Sequence, residues 1–260
     1  MNLIIYPMGE KRGQIALYAI VGLLVVFSVL LLLWFKTNFF MFNPDEGDLE
    51  DVMNNIRESI DECLTEISTE PIIRIGMQGG YLYSEGGLYR RYNGSDINYL
   101  CFNMDGVGCR NRMLTKENME EQLAEFFDDE LSRCFNVQDF KKFGGFTIDA
   151  KQWKTSVEIL PYEVVLNLNY PIVLKGKDGV EVKEDIFVSS QPFPLGFVYD
   201  IVTDVVNSEA LGDFDPLIYM LFKKGKVRIE KKRSYPDKLY IINKADNSYI
   251  FQFFIQGEAS

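Results

Sequence analysis

The residues from Ile15 to Phe35 include no Asp, Glu, Lys, Arg or Pro, and no other stretch constrains the fold as strongly. In a helix rising about 1.5 Å per residue, roughly 21 residues reach about 31 Å, the thickness of a bilayer core. The expectation is a transmembrane helix over 15–36. A cleaved secretory signal has a shorter apolar core followed by small residues; here Leu31, Leu32, Leu33, Trp34 and Phe35 fill the far end. Lys11 and Arg12 precede the run, whereas Asp45, Glu46, Asp48, Glu50 and Asp51 follow it. The positive-inside rule then leaves residues 1–14 in the cytoplasm and exports the rest. Trp34, Phe35, Phe39, Phe40 and Phe42 suit an interfacial aromatic belt, and Asn43-Pro44-Asp45 breaks the helix inside a linker over 37–47. The lipid bilayer is the first expected partner, and the expected localisation is single-pass in the cell membrane with an extracytoplasmic C-terminal domain.

Beyond the linker roughly 210 residues remain, enough for a real core. The 38 acidic and 27 basic side chains give a net charge of -11, which disfavours nucleic acid and an anionic membrane surface as partners, since both require a basic footprint. The chain has no histidine, so Ser-His-Asp, Cys-His and H-E-x-x-H chemistry and imidazole zinc sites are ruled out. Its four cysteines show no C-x-x-C spacing, and no phosphate-binding glycine loop occurs. No catalytic, cofactor-binding or metal-ligating residue is assigned, and the expected protein is not an enzyme.

Leu49, Val52, Met53, Ile56, Ile60, Cys63, Leu64 and Ile67 recur at spacings of three and four, predicting an amphipathic helix that ends before Pro71. Gln78-Gly79-Gly80 then reads as a turn. Strand-like pieces follow at 81–83, 88–92 and 99–102, with turns at Glu85-Gly86-Gly87 and Met104-Asp105-Gly106. Thr115 caps a second helix striped by Met119, Leu123, Phe126, Phe127, Leu131 and Cys134. On it, Asp128-Asp129-Glu130 read as a solvated acidic face.

From Gly145 the period changes to two, with strands at 146–148, 155–159 and 164–170, and a long hairpin turning at Gly176 to Gly179 into 180–188. A third helical stripe covers Leu195 to Val206, a short helix is expected at 216–222, and 238–243 pairs with 249–256 as a terminal hairpin. Lys223, Lys224, Lys226, Arg228, Lys231, Lys232 and Arg233 form the basic cluster. It reads as a solvated strand edge, with docking to an acidic subunit or an anionic glycan as the sharper alternative. The expected fold class is α+β: an N-terminal transmembrane helix, then an exported domain of antiparallel hairpins with two or three packed amphipathic helices. Residues 48–144 form a helical and hairpin subdomain and 145–260 a β-rich one.

Cys63 and Cys134 fall near the ends of the first two helices, whose packing would bring them together in a disulfide closing about 70 residues, worth on the order of 4 kcal/mol. Cys101 and Cys109 flank a loop short enough to close; four buried thiols are the alternative. Asn93-Gly94-Ser95 is a glycosylation sequon in a polar turn, and Ser189-Ser190 has no positioned lysine partner.

Lys11-Arg12-Gly13-Gln14 before the apolar run resembles the class III signal of archaeal type IV pilin-like proteins, cut after Gly13 so that Gln14 opens the mature helix. That family commonly has Glu at the fifth mature position, where this chain has Tyr18. An uncleaved anchor is the other reading. Asp61-Glu62-Cys63-Leu64, Gly76-Met77-Gln78-Gly79-Gly80-Tyr81, Arg133-Cys134-Phe135 and Val165-Leu166-Asn167-Leu168-Asn169-Tyr170-Pro171 resemble a family of membrane-anchored archaeal surface proteins. That resemblance implies the same topology with a cysteine pair, and no activity. The expected function is a non-enzymatic cell-surface component, a subunit of an envelope or pilus-like assembly or an adhesion factor. Its partners would be itself, other surface proteins or a glycan. An exported carboxylate-based hydrolase acting on glycans is the alternative from another class. A third is an accessory subunit of a secretion or membrane complex, contacting its partners through Gly22 and Ser28.

Overall fold

In the computed structural model the described residues are 22–28, 49–84, 88–103 and 109–257. The expected transmembrane helix requires correction. Of the apolar run, residues 22–28 are described; they are helical and exposed. Among the described residues no helix is long and apolar enough to cross a membrane. The longest of them, α1 (Leu49–Met77), fails because one face is charged. The fold class is therefore α+β without a demonstrated span. Gly13, Gln14, Tyr18, the aromatic belt and the linker lie outside the described residues.

Residues Gly47–Ser260 form one compact unit. After α1 come β1 (Tyr89–Tyr92), β2 (Ser95–Phe102), β3 (Arg110–Asn111) and α2 (Lys116–Cys134), and a 3-10 helix at Val137–Phe143 leads to β4 (Phe146–Ala150), β5 (Lys154–Ile159), β6 (Val164–Gly176) and β7 (Glu181–Gln191). The chain closes with α3 (Leu195–Leu211), α4 (Pro216–Phe222), β8 (Val227–Ser234), β9 (Asp237–Lys244) and β10 (Ile250–Ile255).

Two sheets result. The first has the order β1-β2-β10-β9-β8, with β3 also on β2. Its β2–β10 pair is parallel, and the other pairs are antiparallel. In the second, β6 is central, with β7 along one edge and β4 and β5 end to end along the other. The β6–β7 hairpin is the long one expected, and β9–β10 is the terminal hairpin. Because β10 returns to β2, the first sheet draws strands from both sides of residue 145.

The helix α1 continues through Pro71 to Met77, beyond its expected end. Proline removes one hydrogen bond from a helix, but Ile72, Ile75 and Gly76 beyond it are buried, and that packing outweighs the lost bond. Ile56, Ile60 and Leu64 of α1, Leu123 and Phe127 of α2, and Leu166, Leu168 and Leu174 of β6 share one core with Val202 and Val205 of α3 and Phe251 and Phe253 of β10. Thr115 caps α2, its hydroxyl accepting from the Asn118 amide at 3.3 Å.

Candidate functional site

The cysteines lie in two pairs at disulfide distance. Cys63 on α1 faces Cys134, the last residue of α2, with 5.6 Å between Cα atoms, and Cys101 on β2 faces Cys109, just before β3, at 5.2 Å. Helix packing produces the first pair. The second follows from β3 folding back on β2, where Asn111 pairs with Cys101.

Asn93 is exposed at the tip of the β1–β2 hairpin with φ 48°, followed by Gly94 at φ 86°. An Asn-Gly pair with both residues at positive φ is what a two-residue hairpin turn demands, so the turn alone accounts for Asn93. Ser189 is buried and accepts from Gln191 Nε2 at 3.1 Å, while the Ser190 hydroxyl donates to Glu163. The acidic triplet on α2 divides: Glu130 pairs with Arg133 at 2.6 Å, Asp129 is exposed, and Asp128 accepts from the Thr155 amide at 2.7 Å. Asp128 is therefore a structural acceptor rather than part of a solvated face.

One carboxylate is buried inside a polar cluster that sequence reasoning missed. The Glu209 side chain on α3 is 1% exposed; it accepts from Lys238 Nζ at 2.6 Å, from the Tyr240 hydroxyl and from the Phe214 amide at 3.3 Å, and Lys231 Nζ lies 3.1 Å away. Burial pushes its pKa up, but the hydrogen bonds from Lys238, Tyr240 and Lys231 outweigh that and leave it below the ordinary value. Asp213, held by the same two lysines, is lowered to about 2. Among the described residues, each carboxyl that departs clearly from its ordinary pKa departs downward: Glu117, Glu209, Asp213 and Asp246. A general acid in a carboxylate pair needs the opposite shift, so this cluster is a staple between α3 and the β8–β9 hairpin. No group of three or more metal-ligating side chains occurs among the described residues.

One feature open to a partner is the outer face of the second sheet. Three cross-strand rows lie on it: Lys154–Asn169–Ile186, Ser156–Asn167–Val188 and Glu158–Val165–Ser190. Ile186 and Val188 are 59% and 58% exposed, whereas Phe187 between them is buried at 3%. A concavity of about 400 Å³ adjoins Ile186, lined by Asp149, Lys151, Asn169, Lys183 and Asp185 among others. Lys183 pairs with one Asp185 oxygen at 2.9 Å, and the other oxygen is buried without a partner. The sequence signal for this face is the run Ile186-Phe187-Val188. In a strand of period two, three consecutive apolar residues cannot all face one core, so an apolar row is left outside.

No protein-family model, curated protein or solved structure matches the chain. The surface and its chemistry must therefore support any functional reading.

Proposed function

We propose that this is a non-enzymatic protein of the cell surface, a subunit of an envelope or pilus-like assembly, whose exported domain associates with a second copy through the outer face of the second sheet. The observation that carries this reading is the exposed Ile186–Val188 row beside Val165, set among Asn167, Asn169, Ser156 and Ser190. Apolar side chains supply the burial, and amides and hydroxyls with both donor and acceptor atoms allow such a face to meet its own copy. The two cysteine pairs support an oxidising compartment, and together with the acidic net charge they suit an extracytoplasmic location.

The full chain in mild detergent is expected to give a defined oligomer by native mass spectrometry. Ile186→Lys combined with Val188→Lys should weaken it at least about tenfold, since burial of the two apolar side chains together is worth more than about 1.4 kcal/mol. A wild-type protein that is monomeric at every concentration would overturn the reading.

A further inference from the structure

The short helix α4 turns most of its apolar residues outward. Asp215 caps it, accepting from the amides of Leu217 and Ile218 at 2.8 and 3.2 Å. Two residues bind it to the fold. The Tyr219 hydroxyl donates to Asp204 while its ring packs 5.3 Å from that of Phe214, and Met220 Sδ lies 3.2 Å from the Ile229 amide. The others protrude: Leu217, Ile218, Leu221 and Phe222 are 70%, 55%, 78% and 81% exposed, and Leu211, just upstream, is 92% exposed. Helical spacing sets Leu217 beside Leu221 and Ile218 beside Phe222, so these four make one continuous ridge. A contiguous apolar patch of this kind marks a contact site.

Charge identifies the contact. The ridge runs directly into Lys223, Lys224, Gly225 and Lys226, with Arg228 on the following strand. Lys223 lies over the Tyr219 ring at 5.1 Å and 3.7 Å from Asp204. Lys224, Lys226 and Arg228 are exposed, and none of them forms an ion pair among the described residues. On a chain of net charge -11 this is a local cationic rim. The acids at the opposite end of α4 are already committed, Asp213 to Lys231 and Lys238 and Asp215 to the cap.

We infer that α4 and its lysine rim seat on the anionic surface of a lipid bilayer, with Leu221 and Phe222 entering the acyl boundary and Lys224 and Lys226 at headgroup level. A protruding ridge of Leu, Ile and Phe side chains, edged by long ammonium side chains that can snorkel, meets what that interface requires. The site is separate from the sheet face and does not depend on self-association.

Hydrogen exchange read by mass spectrometry tests this locally, whatever the rest of the chain does. The full chain is incubated with vesicles of phosphatidylglycerol and phosphatidylcholine, with vesicles of phosphatidylcholine alone, and without lipid. Peptides over 211–226 should be protected by the anionic vesicles and far less by the neutral ones. Leu221→Glu with Phe222→Glu should abolish that protection, and Lys224→Gln and Lys226→Gln should each weaken it roughly fivefold. All four side chains are exposed, so the variants should keep the wild-type near-UV circular dichroism. Equal protection by both vesicles, no protection, or protection that appears without lipid as protein concentration rises would overturn the inference, the last pointing to a second copy on the ridge.

Discussion

Glu209 shows how much one buried acid determines here. Taking a carboxylate out of water costs several kcal/mol unless cations and donors replace the solvent, and Lys238, Lys231, Tyr240 and the Phe214 amide do so. Removing the charge leaves two partly buried lysines short of a partner, so Glu209→Gln is expected to cost about 3 kcal/mol at pH 7, read from urea unfolding. The pH dependence has a definite sign. Because the folded pKa is depressed, the stabilisation is present above the ordinary carboxylate range and is lost as the pH falls through the lower folded value. The gap between wild type and Glu209→Gln should therefore narrow as unfolding is followed from pH 5 towards pH 2; a constant gap would show that ionisation of Glu209 contributes nothing. Asp213 titrates in the same window at about 2, but its side chain is 75% exposed and solvent screening leaves it a small share. A trace of this was legible. Glu209 continues the stripe Val202, Val205, Val206, and an acid on a buried face calls for a cation; only the fold shows that β8 and β9 deliver it.

At the scale of elements, α2 lies along β5, and its acids act on the strand backbone. Glu120 accepts from the Ile159 amide at 2.7 Å and Asp128 from the Thr155 amide at 2.7 Å. Eight helical residues rise about 12 Å and four strand residues about 13 Å, so one helix face meets alternate amides of an antiparallel edge, with Ala124 midway. The arrangement satisfies donors that would otherwise invite strand addition. Glu120→Ala with Asp128→Ala is expected to lose about 3 kcal/mol and to accelerate amide exchange at Thr155 and Ile159, whereas Glu120→Gln with Asp128→Asn, which keeps the acceptor oxygens, should lose less than half of that. Unchanged exchange at both amides would refute the capping role. The periodicity made α2, the β6–β7 hairpin and the terminal hairpin legible, because each is set by local pattern. Which strand would lie beside Asp128 depends on tertiary placement, and so a cap was read as solvated charge. The end of α1 was misplaced for a related reason: Pro71 is a local signal, while the burial that carries the helix past it comes from elements far along the chain.

Across the whole molecule, α1 ties the two sheets together. Near its middle Arg57 bonds Glu184 at 2.8 Å and Thr65 accepts from Gln191 at 3.2 Å, both on β7 of the second sheet. Near its end the first sheet takes over: the Tyr249 hydroxyl donates to the Ile72 carbonyl at 2.8 Å, and Gln252 Nε2 donates to the Met77 carbonyl at 2.9 Å. These contacts join residues 177 and 175 positions apart, and no sequence period announces them. Gly76 makes the approach possible. A Cβ there would overlap the Ile250 carbonyl oxygen and stand 2.7 Å from the Tyr249 hydroxyl. In an isolated helix Gly76→Ala would gain about 1 kcal/mol; here the backbone of β10 must move, and a net loss of about 1–3 kcal/mol is expected. Because β10 carries the parallel pairing to β2, the disturbance should spread through the first sheet and leave the second intact. Amide exchange is then expected to quicken over 95–101 and 250–255 but not over 164–175. A Gly76→Ala protein more stable than wild type would show that helix propensity, rather than the closeness of the two backbones, governs this junction.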